Sequence, residues 1–342
     1  MTDITTPSNE SHLPLAFESI QFASHLTGPA LIVTGAVHGN ETCGTQAIRR
    51  LAEELQSGQL HLLCGKLTLV PVCNPLAFAR GEREGERNLN RKLLPTSNPS
   101  QYEDHVANWL CPLLAQHQVL LDLHSFRGQG EAFVLIGPEN NQGDLEPFAL
   151  AEAEWEMARR LGVRRVVQGW LSTYADGVTR RQQWFAEQTK AGNPLPYQAD
   201  PEFGVGTTEY MRRMGGYAMT LECGQHHDPH APELAYQAIL SSLRWLGMLA
   251  GEALPAQEME ILRMHEVIDK WHSADRFVHD WISFDEVKAG DVVAIRADGS
   301  EVRAQYDGRV IFPDANAAVG EEWLYLSYYQ AAPEFTTAVA TP

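Results

Sequence analysis

Residues 30–41 read ALIVTGAVHGNE, and this stretch decides the fold. Residues 30–37 form a short apolar run between Pro29 and Gly39, which suits a buried strand. Residues 42–58 then carry Ala47, Ile48, Leu51 and Leu55 at helical spacing, with Gly58 as a stop signal. Strand, short loop and helix make half of a βαβ unit, and the pattern recurs outward along the chain. KLTLVPVC (66–73), QVLLDLH (118–124), EAFVLIG (131–137), RRVVQ (164–168) and YAMTLEC (217–223) read as strands, while 103–117, 148–161 and 231–250 read as helices. This alternation predicts an α/β fold with a mostly parallel sheet and helices on both faces.

Two regions depart from the alternation. Residues 171–215, including AGNPLPYQADPEFGVG, show little periodicity and read as an insertion or lid, with a short helix expected over TTEYMRRM (207–214). Beyond residue 252, RFVHDWISF, DVVAIRA, EVRAQYDGRVIF and EWLYLSYY are β-rich runs between AG, DG and DAN turns. The expected organisation is a loose tail over 1–11, a catalytic domain over 12–252, and a small β domain over 253–342 that ends in a loose tail. Its strands are expected within 271–332.

The 342 residues carry 26 basic and 44 acidic side chains, a formal charge of −18. Such a chain repels phosphate backbones and anionic lipid, so nucleic acid and membrane surfaces are not expected partners. The five cysteines are irregularly spaced, without a C-x-x-C pair, and read as reduced thiols of a cytoplasmic protein. The polar opening MTDITTPSNESHLP lacks the pattern of a signal peptide, and no apolar run is long enough for a membrane span. The sequence leaves homo-oligomer formation open.

The chemistry sits at strand ends. G-A-V-H-G-N-E (35–41) places His38 and Glu41 where the first strand runs out, with Gly35, Gly39 and Asn40 supplying turn residues. L-D-L-H-S (121–125) ends a second strand with His124. H-x-x-E and D-x-H are weak signals alone. If the strands are neighbours, however, the three side chains meet at the carboxyl edge of the sheet, where open α/β sheets bind ligands. Two histidines, one carboxylate and a position left for water form a catalytic zinc set. Asp122 is expected to point away from His124 and to serve a structural or supporting role.

Glu222 lies in the apolar strand YAMTLECG, where a carboxylate is costly unless paired or functional. It is either a salt-bridged edge residue or a general base acting on water. His226, His227 and His230 in HHDPH could form a second metal cluster but read better as a loop beside the pocket. Cys43 and Cys223 flank the site without a paired base and read as small buried hydrophobes. G-x-S-x-G, G-x-G-x-x-G and Walker patterns are absent, which argues against a serine-hydrolase elbow and nucleotide binding.

Taken in order, G-x-x-H-G-N-E, N-P…R…N-x-N-R, D-L-H and L-E-C-G resemble the succinylglutamate desuccinylase/aspartoacylase family over roughly residues 28–250. The family belongs to the wider zinc-carboxypeptidase-like fold. The resemblance implies an eight-stranded mixed sheet, one zinc ion per chain, and His38, Glu41 and His124 as its ligands. It places Glu222 as catalytic base, Arg83 at the scissile carbonyl, and Asn90 with Arg91 at a substrate carboxylate. Arg80 and Arg87 fit the pattern less well and read as loop or rim residues. Arg127, after the departure Ser125-Phe126, is a further substrate-binding candidate or a surface residue. A pocket tyrosine could be Tyr174, Tyr210 or Tyr217.

The expected activity is zinc-dependent hydrolysis of an amide bond in a small N-acyl amino acid or related acylated amine. The rival readings are a metallocarboxypeptidase acting on peptides and a non-catalytic binding module.

Overall fold

The structure is a computed structural model, and it describes residues 15–188 and 200–335. The expected N-terminal tail, the middle of the 171–215 region and the end of the expected C-terminal tail lie outside the described residues.

The first half of the chain folds as β1 (Ile20–Ala23), β2 (Ala30–Gly35), α1 (Cys43–Gln56), β3 (Lys66–Val70), α2 (Pro75–Arg80), α3 (Tyr102–Leu114), β4 (Val119–Phe126), β5 (Phe133–Leu135), α4 (Ala151–Ala158) and β6 (Arg165–Gln168). It continues through α5 (Trp170–Gln188), α6 (Thr207–Arg213), β7 (Tyr217–Gln225), α7 (Ala231–Trp245) and β8 (Glu260–Asp269). The C-terminal strands are β9 (Arg276–Phe277), β10 (Glu286–Val287), β11 (Val292–Ile295), β12 (Glu301–Arg303), β13 (Gly308–Ile311) and β14 (Glu322–Tyr329).

Eleven strands form one sheet in the order β1-β3-β2-β4-β7-β5-β6-β8-β14-β13-β10. Its centre is parallel: β2 pairs with β3 and β4, and β4 pairs with β7. β5 runs antiparallel to β7, so the sheet is mixed. β8 pairs in parallel with β6 and antiparallel with β14, which carries the ladder into the C-terminal strands. β12, β11 and β9 form a separate three-stranded sheet.

Helices cover both faces of the α/β layer. α1, α4 and α7 pack on one face through Ile48, Leu51, Trp155, Ala235 and Ile239. α2, α3 and α6 pack on the other through Leu76, Val106, Leu110 and Met211. In α1 the inward positions Ala47, Ile48 and Leu51 are buried while Gln46, Arg49 and Arg50 face water. Each fully buried Leu or Ile contributes about 1.5–3 kcal/mol relative to exposure. The C-terminal strands enclose their own cluster around Val293, Val310, Trp323 and Leu324. A further cluster of Phe126, Phe133, Leu262, Phe284 and Tyr325 joins them to the end of β4.

Three elements carry no clear sequence signal. α5 occupies part of a stretch whose turn-forming residues mask its helical period. β1 and β8 are strands outside the β-rich runs; β8 mixes buried and half-exposed positions without a clean alternation. Among the described residues no helix is long and apolar enough to cross a membrane.

Arg212 fastens α6 to the sheet. Its side chain is only 2% exposed. It donates to both oxygens of Glu154 at 3.1 and 3.0 Å, to Glu146 at 2.8 Å and to the Ala218 carbonyl at 2.7 Å. Removing one member of such a network strands a buried charge, at a cost of about 3–5 kcal/mol. Arg212→Met should therefore lower the unfolding free energy by that amount, seen as a lower denaturant midpoint at an unchanged slope. A loss below about 1 kcal/mol would show that the network is not what holds α6.

Candidate active site

The site is assembled by strand order. β2, β4 and β7 lie side by side and run in the same direction, so their carboxyl ends share one edge. His38 follows β2, His124 lies in β4, and Glu222 is the register partner of His124 on β7. The backbone bends sharply after β2: Ala36 has φ 47°, a left-handed conformation costing on the order of 1–3 kcal/mol for a residue with a Cβ. Gly39 then packs directly on α2. A Cβ at Gly39 would lie 2.0 Å from the Ala77 carbonyl carbon, so only glycine allows this approach. The bend and the close contact together aim His38 back over the sheet edge.

Glu41 is the hub. One carboxylate oxygen lies 2.8 Å from His38 Nδ1, and the other lies 2.8 Å from His124 Nδ1. One ligand atom from each residue can be chosen so that all three fall within 4.8 Å of one another. His38, Glu41 and His124 are 3%, 1% and 2% exposed, respectively.

The outer nitrogens are held too. His124 Nε2 lies 2.8 Å from Asp122 Oδ2. His38 Nε2 lies 3.1 Å from Asn88 Oδ1, an oxygen that also accepts from the Asn90 amide at 2.9 Å. These acceptors fix the proton on each Nε2, which leaves each Nδ1 lone pair turned toward Glu41. The His38 Nδ1 contact with Glu41 lacks hydrogen-bonding geometry, so that buried nitrogen has no hydrogen-bond partner. Two inward lone pairs and a shared carboxylate fit a divalent cation in size and chemistry.

The two imidazoles differ in their charge preference. Burial, with help from Arg83, lowers the His38 pKa to about 4, so its imidazole is neutral near pH 7. Burial also disfavours a charged His124, but Asp122 and Glu41 outweigh it and hold its pKa well above the usual value. A proton on His124 Nδ1 and a metal ion thus compete for the same lone pair.

Asp122 does not point away from His124 as expected from sequence. Residues two apart in a strand share a face, and the two side chains touch. Asp122 is fully buried and accepts from Thr34 Oγ1 at 2.6 Å and from Thr207 Oγ1 of α6.

Glu222 is 7% exposed and one of its oxygens has no hydrogen-bond partner among the described residues. Burial raises its pKa to about 8, against the opposing charges of His124 and Arg83. Arg83 reaches the centre from the loop after α2 and donates to Glu41 at 3.0 Å. That loop is shaped by Glu103, a buried carboxylate that accepts from Asn74 Nδ2 at 2.9 Å and from the Gly85 and Arg87 amides at 3.0 Å each. Arg87 pairs with Asp104 at 2.9 Å and anchors the loop to α3.

Asn90, Arg91 and Arg127 line the same cleft, which has a volume of about 860 Å³. Asn90 accepts from the Thr207 amide at 3.0 Å, at the start of α6. Arg91 pairs with Glu322 of β14 at 3.3 Å. Arg127 stands at the exposed rim, 3.5 Å from Asp314. Tyr174 lines the cleft whereas Tyr210 and Tyr217 do not; Tyr325, from the C-terminal strands, does. His226 contacts Ser125 Oγ at 2.9 Å and lines the cleft, while His227 and His230 are exposed. Among the described residues only His38, Glu41 and His124 form a group able to hold a metal. The sequence reading missed Asn88, Glu103, Thr207, Glu322 and Tyr325; only the N-x-N spacing around Asn88 offered a signal.

Residues 27–161 match the family model of the succinylglutamate desuccinylase/aspartoacylase catalytic domain. Over this segment the chain is similar to the catalytic domain of the succinylglutamate desuccinylase/aspartoacylase family. Among similar curated proteins, a succinylglutamate desuccinylase of Pseudomonas paraeruginosa is 36% identical over 76 residues, 22% of this chain and 22% of that protein. An N-alpha-acetyl-L-2,4-diaminobutyric acid deacetylase of Halomonas elongata is 30% identical over 102 residues, 29% of each chain. The chain therefore matches under a third of the length of these two family members. In fold the likeness is broader: a succinylglutamate desuccinylase structure from Silicibacter sp. superposes with a TM-score of 0.64 at 20% identity, covering 92% of this chain and 89% of that one.

Asp122→Asn keeps the volume but removes the charge that orients His124. Loss of such a partner typically weakens metal affinity 10–100-fold. Competition against a chelator of known zinc affinity should show that drop; unchanged affinity would remove Asp122 from the metal centre.

Proposed function

We propose that this chain is a zinc-dependent hydrolase that cleaves the amide bond of a small N-acyl amino acid, releasing a carboxylic acid and a free amine. The observation that carries the reading is the convergence of His38, Glu41 and His124 beside the unpartnered oxygen of Glu222 in one cleft. The relatives support the substrate class: one is a succinylglutamate desuccinylase and another an N-alpha-acetyl-L-2,4-diaminobutyric acid deacetylase.

A zinc ion held by His38, Glu41 and His124 would supply Lewis acidity toward the carbonyl oxygen and lower the pKa of water. The chain's own groups do the rest. Glu222 takes a proton from the attacking water and returns it to the departing nitrogen, a double task suited to a carboxyl group poised near neutrality. Arg83, already 3.0 Å from Glu41, presents its guanidinium where negative charge develops on the former carbonyl oxygen. Asp122 and Asn88 keep both imidazoles in one tautomer and one orientation. Arg91 offers a planar donor fork to a substrate carboxylate, with Asn90 fixing the backbone beside it.

Glu222→Gln should lower kcat by roughly 10²–10⁴ with zinc content unchanged by elemental analysis. Arg83→Met should cost about 10²–10³ in kcat. Chelator treatment should abolish turnover of acylated amino acids, and added zinc should restore it. Full activity in Glu222→Gln, or purified protein that takes up no stoichiometric metal, would end this proposal. Faster cleavage of peptides than of acylated amino acids would turn it toward a carboxypeptidase.

A further inference from the structure

Each imidazole of the metal centre is held from behind, and both supports lead to the same residue. His124 Nε2 rests on Asp122 Oδ2, and the Thr207 hydroxyl donates to that same oxygen. His38 Nε2 rests on Asn88 Oδ1, which also accepts from the Asn90 amide. The side-chain oxygen of Asn90 in turn accepts from the Thr207 amide at 3.0 Å. Glu41 lies 2.8 Å from each Nδ1 and closes the circuit into a ring. Thr207 is fully buried; its neighbour Thr208 lines the cleft and Thr207 does not. Whatever Thr207 contributes therefore reaches the metal centre through Asp122 and Asn90, not through contact with a substrate.

The local sequence makes this double contact possible. Thr207 is the first residue of α6, where a helix leaves its backbone N–H groups free, and it gives its own to Asn90. Gly206 lets the two approach: a Cβ there would lie 2.1 Å from Asn90 Oδ1. The Gly206 amide is taken by Glu209 Oε2 at 2.9 Å, and Arg212 fastens the far end of α6 to the sheet, so Thr207 is placed independently of the metal centre. The two imidazole rings stand 5.1 Å apart at 70° to each other. Separate supports would fix each ring only against its own strand. A shared support fixes the rings against one another, which is what a site with few ligands needs. Asp122 keeps a second donor, Thr34 at 2.6 Å, so loss of the Thr207 hydroxyl alone loosens His124 without freeing it.

We propose that Thr207 is a positioning residue of the metal centre. By joining the support of His38 to the support of His124, it sets the angle between the two imidazoles and with it the affinity for the metal ion. The short helix α6 is thereby part of the metal site, although no atom of it reaches the ion. This inference rests on the zinc-hydrolase reading of the same cleft.

The test uses three variants of the full chain and reads zinc affinity by chelator competition. Thr207→Val keeps the shape and removes the hydroxyl, and should weaken zinc binding about 10-fold. Thr207→Pro removes the amide donor as well; proline suits the first position of a helix, so α6 is kept, and the loss should approach 100-fold, the upper end of the range of about 10–100-fold. Thr207→Ser restores the hydroxyl and should bind zinc as the wild type does. Two readouts separate positioning from plain stability. Cobalt-substituted protein should show an altered d–d absorption envelope in the Val and Pro variants and not in Ser. In metal-free, histidine-labelled protein, the Nε2 NMR signal of His124 should move in the Val variant, and those of both His38 and His124 in Pro. Wild-type affinity and unmoved imidazole signals in the Val and Pro variants overturn the ring and leave the hydrolase reading standing. So does a loss of affinity that only follows the lower unfolding free energy of the metal-free variants, with the imidazole signals unmoved. Zinc binding that falls as expected in a protein whose wild type cleaves no acylated amino acid supports the ring and ends the hydrolase reading.

Discussion

The parallel pairing of β4 with β2 on one side and β7 on the other is the constraint on which the rest of this molecule depends. Residues from three distant parts of the chain reach one edge only because three strands share a direction and a register. A slip of one residue in β4 would turn His124 and Asp122 to the opposite face. The strands resist such a slip because they are buried on both faces, with helices packed above and below.

A second constraint follows from burial. The centre of the molecule holds many charges, and low-dielectric surroundings make each one costly unless matched. The structure meets that demand in successive layers. Thr34 and Thr207 support Asp122, Asp122 and Asn88 support the histidines, and the histidines face Glu41. Glu103 does the same for the arginine loop by accepting backbone amides, and Arg212 does it for α6. Glu222 stands out against this background, with one buried oxygen left without a hydrogen-bond partner among the described residues.

Much of the centre was legible in the sequence, since strand-end histidines need only two short motifs and a parallel sheet to bring them together. His38, Glu41, His124 and Glu222 meet at one edge for that reason. The supporting residues were harder to read. Asp122 was assigned the wrong direction although a period of two places it beside His124. Glu103 and Thr207 sit in helices whose sequences give no hint of a loop or an aspartate waiting above them. α5 was hidden by the turn-forming residues around it, and β8 by its mixed pattern of burial.

The sequence by itself determined the alternating α/β pattern, the glycine-bounded turn that presents His38 and Glu41, and the carboxylate stranded in an apolar strand. These are local properties: periodicity, the backbone freedom of Gly39, and the cost of burying a charge. Only the tertiary structure decided which arginines are committed to carboxylates and which face the cleft, because ion pairs such as Arg91 with Glu322 join residues 231 positions apart. It also decided that β14 forms part of the cleft wall, since β8 continues the sheet into the C-terminal strands and carries Glu322 and Tyr325 into the cleft that holds His38, Glu41 and His124. Charge pairing and edge pairing both depend on proximity in space, and no spacing along the chain encodes that.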